Sequence, residues 1–230
     1  MGIDKKTLKN KVVNLLKQYS LSNESTIAIA IDGEWGIGKS YMYHKIIKEE
    51  IKKELNITPI YTSVFGKKDE NEIIKDLVSQ FLTIENKNAD TIRDFVEGAF
   101  KFFSKNIDMD LLFKFFRREH MSNTIICIDD FERLSDKIPV QDVLGLISDL
   151  KENKGCHVIL LYNRSKINTN SQEQFNNYIE KIVDVTYNYT PNPCDQLELL
   201  KGLLKYPLHT KKFPQEEVEK YLLNLKIESY

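Results

Sequence analysis

The sequence predicts an α/β fold with three layers, in which helices cover both faces of a mostly parallel, five-stranded sheet. Short apolar runs alternate along the chain with longer segments whose apolar residues recur every three to four positions. A glycine-rich loop joins the first of these runs to a helical segment, and two neighbouring aspartates end the third. Strands that alternate with helices form parallel sheets, because a parallel connection needs a long crossover. The last part of the chain is expected to be a helical C-terminal extension.

The predicted elements follow one another without an internal repeat. Strands are expected at 26–32, 58–66, 123–130, 156–163 and 183–189. Helices are expected at 4–19, 40–55, 69–82, 91–118, 138–155 and 174–182, and again after the prolines of 191–193. The expected domains are an N-terminal helix at 1–22, a core at 23–190 with a helical insertion at 91–118, and the start of a helical lid at 191–230.

The overall composition is that of a folded domain with balanced charge. Lysine and arginine total 33 against 34 for aspartate and glutamate, so the net charge of −1 gives no global attraction to nucleic acid or to an anionic membrane. The three cysteines, Cys127, Cys156 and Cys194, are widely spaced, which disfavours a disulfide framework and structural zinc. No stretch reaches the roughly 18 apolar residues of a membrane-spanning helix. We therefore expect a cytoplasmic protein without a transmembrane segment.

The stretch GEWGIGKS, residues 33–40, matches the phosphate-loop pattern GxxxxGK[ST]. Its glycines allow a tight turn whose main-chain N–H groups point at phosphate oxygens, and the helix that follows adds further N–H groups. Lys39 supplies a cation for the β- and γ-phosphates, and the Ser40 hydroxyl is a ligand for Mg²⁺. A glycine-rich turn without a ligand is the alternative, but the strand before and the helix after favour nucleotide binding. The expected nucleotide contacts are Gly33, Glu34, Trp35, Gly36, Ile37, Gly38, Lys39, Ser40 and Tyr41.

The only tryptophan of the chain, Trp35, lies inside this loop. Its ring either packs against neighbouring apolar surface or stacks on the adenine base. Because the loop wraps around phosphates and not around the base, packing is the favoured interpretation.

A second acidic element, TIICIDDFERL at 124–134, is an apolar strand that ends in two carboxylates. Ligands of open α/β sheets bind beyond the carboxyl ends of the strands, where Asp129 would hold Mg²⁺. Asp130 stands where a base would orient or activate the attacking water, so we expect it to be catalytic together with Lys39. An Asp-rich turn without such a role is the alternative. The strand and helix between the two motifs leave room for an additional strand between the phosphate-loop strand and the carboxylate strand.

Five blocks of the sequence together resemble the KAP family of P-loop NTPases, within the STAND-type ATPases. They are IDGEWGIGKS, IYTSVFG, CIDDFERL, LLYNRSKI and YIEKIVDV, and the resemblance covers about residues 5–190. It implies Asp129 for magnesium, Asp130 for activation of water, and a polar sensor of the γ-phosphate at the end of the fourth strand. Asn163 and Arg164 stand there, although the family commonly has aspartate at the position of Asn163.

Three further residues follow from the same blocks. Arg164 either acts in catalysis or pairs with surface acids. Glu132 and Arg133 fit the family pattern, and either touch nucleotide or form an ion pair that holds the turn after the carboxylate strand.

The resemblance implies a magnesium-dependent ATPase that binds ATP and Mg²⁺ and acts as a nucleotide-driven switch. Its turnover is expected to need self-association or a protein partner, and some bacterial members resemble components of defence against phage. A module that holds ATP or ADP with little turnover is the alternative. An ATPase directed by nucleic acid is less favoured, because acids interleave with the local basic clusters. The choice of ATP over GTP rests on the resemblance, since the chain lacks the guanine-reading NKxD tetrapeptide.

The chain departs from the family in two places. Many members carry transmembrane helices between the two nucleotide motifs, whereas the Phe-rich segment 93–119 is interrupted by lysines and aspartates and cannot span a bilayer. A helical pair that covers the sheet is the favoured interpretation, with partner docking, self-association and membrane-surface binding as alternatives. Relatives also continue into a larger helical region, so we expect the chain to be a piece of a longer protein.

Overall fold

The computed structural model describes residues 2–22, 25–85, 113–114, 116–167, 169–192 and 195–196. The helical insertion predicted at 91–118 and the helical lid predicted at 191–230 lie largely outside these residues.

The described residues alternate between helices and strands along the chain. The helices are α1 Lys5–Ser22, α2 at 39–55, α3 Glu70–Glu85, α4 Arg118–Met121, α5 Val140–Ser148 and α6 Thr169–Ile182. Helix α2 has three parts, an α-helical turn Lys39–Met42, a π-helical turn Tyr43–Ile47 and a second α-helical part Lys48–Leu55. A π-helical turn, Asp149–Asn153, continues α5, and short 3₁₀ turns occur at Phe131–Arg133 and Arg164–Lys166. The strands are β1 Ala28–Asp32, β2 Ile60–Ser63, β3 Ile125–Asp129, β4 His157–Tyr162 and β5 Val185–Asn188.

The five strands form one sheet in the order β2-β3-β4-β1-β5, and every neighbouring pair is parallel. This confirms the predicted α/β fold. Strand β4 lies between the phosphate-loop strand β1 and the carboxylate strand β3. The additional strand expected between them therefore comes later in the chain than both, while β2 lies at the edge of the sheet.

Two apolar clusters, one on each face of the sheet, produce the three layers. On one face α1 and α2 cover the strands, with Leu8 and Leu16 of α1 fully buried. On the other face α3, α5 and α6 supply Phe81, Leu144 and Phe175, each at most 1% exposed. Strands that are covered on both faces are apolar at every position, which explains the continuous apolar runs in the sequence.

Side-chain caps set the starts of two helices. The Asp4 carboxylate accepts hydrogen bonds from the Thr7 N–H and the Thr7 hydroxyl, both at 2.9 Å, so α1 begins directly after Asp4. The Asp69 carboxylate accepts from the Glu72 N–H at 3.0 Å at the start of α3. Each cap satisfies an N–H group that has no partner inside its helix, which favours the start of the helix at that point.

The outer edge of β2 is closed by α3. The Gln80 side chain donates from Nε2 to the Tyr61 carbonyl at 2.6 Å and accepts from the Tyr61 N–H at 3.2 Å. These two bonds replace the neighbouring strand that an edge residue lacks. Tyr61 is therefore held from both sides, by β3 and by α3.

A buried histidine begins β4. His157 is 1% exposed, its Nδ1 accepts a hydrogen bond from the Ile27 N–H at 3.3 Å, and its Nε2 lies 3.3 Å from the Ser20 hydroxyl. An Nδ1 that accepts requires a neutral ring with its proton on Nε2. Burial lowers the pKa of His157 to about 4, because the charged ring would be desolvated there.

This histidine should make the fold sensitive to acid. The pKa of His157 is lower in the folded chain than the ordinary value of about 6.5. Its contribution to the stability of the fold is therefore fully present above pH 6.5 and is lost as the pH falls toward 4. The loss should reach about 3 kcal/mol of unfolding free energy at pH 4. His157→Leu should be less stable than wild type at pH 7, because the Ile27 N–H loses its acceptor, but should lose less stability on acidification. Urea unfolding at pH 7 and pH 4.5 measures both, and equal acid losses in the two proteins would contradict the prediction.

Candidate functional site

The loop between β1 and α2 has the backbone that its glycines permit. Gly36 and Gly38 have φ values of +79° and +90°, in the left-handed region that favours glycine. At Gly33 the reason is space, because a Cβ there would lie 2.5 Å from Ile37 Cδ1 and 3.0 Å from the Tyr189 carbonyl oxygen. The loop is therefore a compact turn that closes directly before the first turn of α2.

Lys39 extends back into the curve of this loop. Its Nζ donates to the main-chain carbonyls of Gly33 at 2.6 Å and Glu34 at 3.0 Å, and the residue is 9% exposed. Burial lowers the pKa of Lys39, and four surrounding carboxylates oppose that effect: Glu132, Asp129, Asp32 and Asp130. An ammonium has three donors, so one remains for a ligand beside the two carbonyls.

Asp129 ends β3 inside the protein, facing the start of α2. Its carboxylate accepts from the Tyr61 hydroxyl at 3.0 Å and from the Asp130 N–H at 2.7 Å, and it is 2% exposed. Burial raises the pKa of Asp129, while hydrogen bonds from Ser40, the Asp130 N–H and Tyr61 act in the opposite direction. The Ser40 side chain is thus one of the groups that influence the Asp129 carboxylate across the two motifs.

Asp130 follows in a left-handed conformation, with φ of +62°, which turns its side chain away from the strand direction. Its Oδ2 accepts from the Ser63 hydroxyl at 2.7 Å, and Arg133 Nη1 lies 3.6 Å from its Oδ1. The Arg133 guanidinium also stacks on Phe65, 3.5 Å from the ring centre. The ion pair that holds this turn therefore joins Arg133 to Asp130 and not to Glu132, which corrects the pairing considered from the sequence.

A cleft of about 430 Å³ brings most of the predicted site residues together. Its lining residues come from the phosphate loop, the start of α2 and the segment after β3: Trp35, Gly36, Gly38, Lys39, Ser40, Tyr41, Asp129, Asp130, Glu132 and Arg133. Eight of these ten residues are among the predicted nucleotide, metal and catalytic residues. The cleft thus combines two cationic side chains, two hydroxyls and three carboxylates within one space.

The remaining predicted residues lie elsewhere. Gly33, Glu34, Ile37 and Asn163 border a second cavity of about 480 Å³, on the β5 side of the loop. Arg164 lines neither cavity, because its guanidinium donates to the Asn176 side-chain oxygen on α6 at 2.8 and 3.2 Å. The Arg164 side chain, which was predicted to be catalytic, therefore does not contact the cleft in this arrangement.

Several residues of the site were not predicted. Tyr61 and Ser63, two positions apart on β2, each donate a hydroxyl hydrogen bond to one of the two aspartates. Polar side chains near the carboxyl end of a strand are the signal in the sequence that could have found them. Glu132 accepts from Trp35 Nε1 and from the Asn163 N–H, and no sequence pattern indicates these partners.

Comparison with known families decides the relationship. The profile of the KAP family P-loop domain matches residues 6–97 and 104–212. The chain belongs to the KAP family. The resemblance inferred from the five sequence blocks is thereby confirmed, and the KAP chain is a P-loop NTPase by family and by fold.

Two solved structures have a similar fold. One is the ORC2 protein of Aeropyrum pernix in ADPNP–ADP complexes, with 14% identity and a TM-score of 0.53 over 84% of the KAP chain and 50% of that protein. The other is the Aeropyrum pernix ORC1 protein in complex with DNA, with 13% identity and a TM-score of 0.55 over 84% and 47% of the two chains. The KAP chain thus spans about half the length of these structures, and identities this low show the fold alone. No curated protein matches the chain.

Two negative findings apply to the described ranges only. None of the helices there has the length and apolar character needed to traverse a bilayer. Within the same ranges, no three or more His, Cys, Asp and Glu side chains converge as a metal-binding group. Magnesium bound together with a nucleotide does not require such a group, because it takes one or two protein oxygens along with phosphate oxygens and water.

Proposed function

We propose that this KAP chain binds ATP with Mg²⁺ and hydrolyses it, and that the bound nucleotide acts as a switch on its assembly or its partner. The observation that carries the proposal is the convergence of Lys39, Ser40, Asp129 and Asp130 on one cleft. A role in defence against phage, which the sequence resemblance implies, stays a prediction.

The phosphate loop supplies the binding part of the proposal. Its main-chain N–H groups and the first turn of α2 give hydrogen-bond donors to phosphate oxygens, and the Lys39 ammonium adds a positive charge. Because Lys39 is already held by Gly33 and Glu34, it needs no large rearrangement to meet the triphosphate. A preformed cation costs little ordering on binding.

The donor set beside Lys39 fits Mg²⁺. The Ser40 hydroxyl and the Asp129 carboxylate are hard oxygen ligands that line the same cleft, and magnesium bound with a nucleotide takes one or two such protein oxygens together with phosphate oxygens and water. These two residues would hold the ion, and the Tyr61 hydroxyl keeps the Asp129 carboxylate oriented. When bound, magnesium neutralises charge on the phosphate oxygens.

Asp130 supplies the base. The Ser63 hydroxyl donates to its Oδ2, and Oδ1, which also faces Arg133 Nη1 at 3.6 Å, would accept the proton from water. The water oxygen then bonds to the γ-phosphorus while the bond from that phosphorus to the bridging oxygen breaks, which gives ADP and inorganic phosphate.

Substitution of the magnesium ligand tests the proposal. Wild type should release phosphate from ATP with Mg²⁺ and not in EDTA, measured with a coupled phosphate assay. Asp129→Asn should lower the rate with Mg²⁺ at least about a hundredfold, because the amide is a weaker ligand, and should bind ATP in EDTA as wild type does.

The matched control is Asp142→Asn, an exposed aspartate in the first turn of α5, which should keep the wild-type rate. Wild-type turnover in the Asp129 variant would refute the assignment of this carboxylate to the metal.

A nucleotide-binding module with little turnover is a second candidate, favoured by the arginines of the site. Among the described residues Arg133 is the arginine that lines the cleft, and it is bound to Asp130 and Phe65. A further positive charge on the γ-phosphate would then have to come from a partner or a second copy. Phosphate release measured against protein concentration separates the two: a rate per chain that rises with concentration supports hydrolysis in an assembly, and a rate at background throughout supports the module.

A further inference from the structure

Glu132 uses both of its carboxylate oxygens on parts of the site that are distant in sequence. Its Oε1 accepts from the indole Nε1 of Trp35, 97 positions away, and its Oε2 accepts from the Asn163 N–H at 3.0 Å, 31 positions away. One side chain therefore connects the phosphate loop, the 3₁₀ turn after β3 and the end of β4.

The Trp35 contact is not explained by burial. The indole is 56% exposed, so packing does not fix the ring, and Lys166 Nζ lies 5.8 Å from its centre. A large aromatic ring that is held at the surface by a charge-assisted hydrogen bond follows the position of its acceptor. The position of Trp35 is thus tied to Glu132 and through it to the main chain of Asn163.

Glu132 also acts on the phosphate side of the cleft. It lines the cleft together with Lys39, so a negative and a positive side chain face the same space. A movement of Glu132 would therefore change the charge around Lys39 as well as the position of Trp35.

We propose that Glu132 is a positioning residue that couples the position of Trp35, in the phosphate loop, to the position of the Asn163 main chain at the end of β4. The proposal rests on the proposed nucleotide binding. A shift of the loop around the triphosphate moves the indole, the carboxylate follows, and the Asn163 amide at the end of β4 moves with it. Loss of Glu132 leaves the loop able to bind phosphates but separates it from β4, so turnover falls more than affinity.

The single tryptophan makes this coupling observable. Trp35 emission is recorded for wild type, Glu132→Gln and Glu132→Ala during titration with MgADP, while calorimetry measures the affinity of the same samples. Wild type should show an emission change on binding. In Glu132→Gln one carboxylate oxygen becomes an NH₂ group, which cannot accept a hydrogen bond. One of the two hydrogen bonds to Trp35 and Asn163 is therefore lost, and the emission change on binding should fall by at least half.

Kinetic measurements distinguish the proposed coupling from a role of Glu132 that only supports the fold of the loop. We expect kcat for MgATP to fall about tenfold in Glu132→Gln and KM to change less than threefold, since the loss corresponds to one hydrogen bond to a charged group. Trp35→Phe, which keeps a ring but has no N–H donor, should lower kcat similarly. The double variant should lose no more than the larger single loss, as expected for two residues that act through one contact.

The matched control is Glu180→Gln, an exposed glutamate on α6 that should behave as wild type in every assay. Wild-type emission change and kcat in Glu132→Gln, or additive losses in the double variant, would overturn the coupling. Absence of calorimetric binding by wild type would overturn nucleotide binding itself, and the coupling with it. Equal losses of affinity and kcat would show that Glu132 only supports the fold of the loop.

Discussion

Replacing Lys39 with alanine should weaken the binding of ATP by a factor of about 10 to 100. In the proposed site the ammonium makes a charge-assisted contact to the phosphates, and a bond of that kind contributes roughly 1.5–3 kcal/mol. The variant also loses the bonds from Nζ to the Gly33 and Glu34 carbonyls, which stabilise the curve of the loop. Titration calorimetry with MgATP measures the effect directly.

Two controls make the result specific. Lys53→Ala removes an exposed lysine from the same helix and should leave the affinity unchanged. The midpoint of urea unfolding of Lys39→Ala shows whether the variant is folded. An affinity equal to wild type in a folded Lys39→Ala chain would mean that the cleft is not a phosphate site.

Replacing Asp130 with asparagine should stop hydrolysis while the chain still binds ATP. General base catalysis contributes about 10²–10⁴ in rate, and an amide cannot take the proton from water. Asparagine tolerates the left-handed φ of this position and still accepts from Ser63, so the turn should persist. The predicted phenotype is wild-type affinity in calorimetry and a rate lowered by a factor of at least about a hundred in phosphate release.

Asp142→Asn again serves as the control, because it makes the same chemical change at an exposed position on α5. If Asp130→Asn kept the rate of wild type, the proton would be accepted elsewhere, and Asp130 would have a structural role in the turn.

Local sequence patterns predict the strands, the helices and the two motifs because each depends on residues near one another in the chain. The five predicted strands form one parallel sheet, and the three inner strands β1, β3 and β4 are almost continuously apolar because both of their faces are covered. The position of β4 between β1 and β3 could not be predicted in the same way, because the order of strands depends on how the crossovers pack. The π-helical turn Tyr43–Ile47 likewise has no periodic signal in the sequence.

In the candidate site, too, local features could be predicted from the sequence and contacts between distant elements could not. Glycine spacing and the position of Asp129 at a strand end locate the cleft, because both follow from the backbone. The contacts of Tyr61, Ser63 and Glu132 join separate elements, so their partners appear only once the sheet is assembled. The position of the Arg164 guanidinium could not be predicted either, because a place beside Asn163 in the chain does not determine where a long side chain points.

The pairing of Gln80 with Tyr61 has a consequence for any protein that approaches β2. An incoming strand would find both main-chain groups of Tyr61 already engaged, and would have to displace the Gln80 amide before it could add to the sheet there. Such a displacement would loosen the residue whose hydroxyl orients Asp129. The outer edge of the sheet is therefore connected through Tyr61 to Asp129, so a partner strand that added at β2 should also affect the proposed magnesium site.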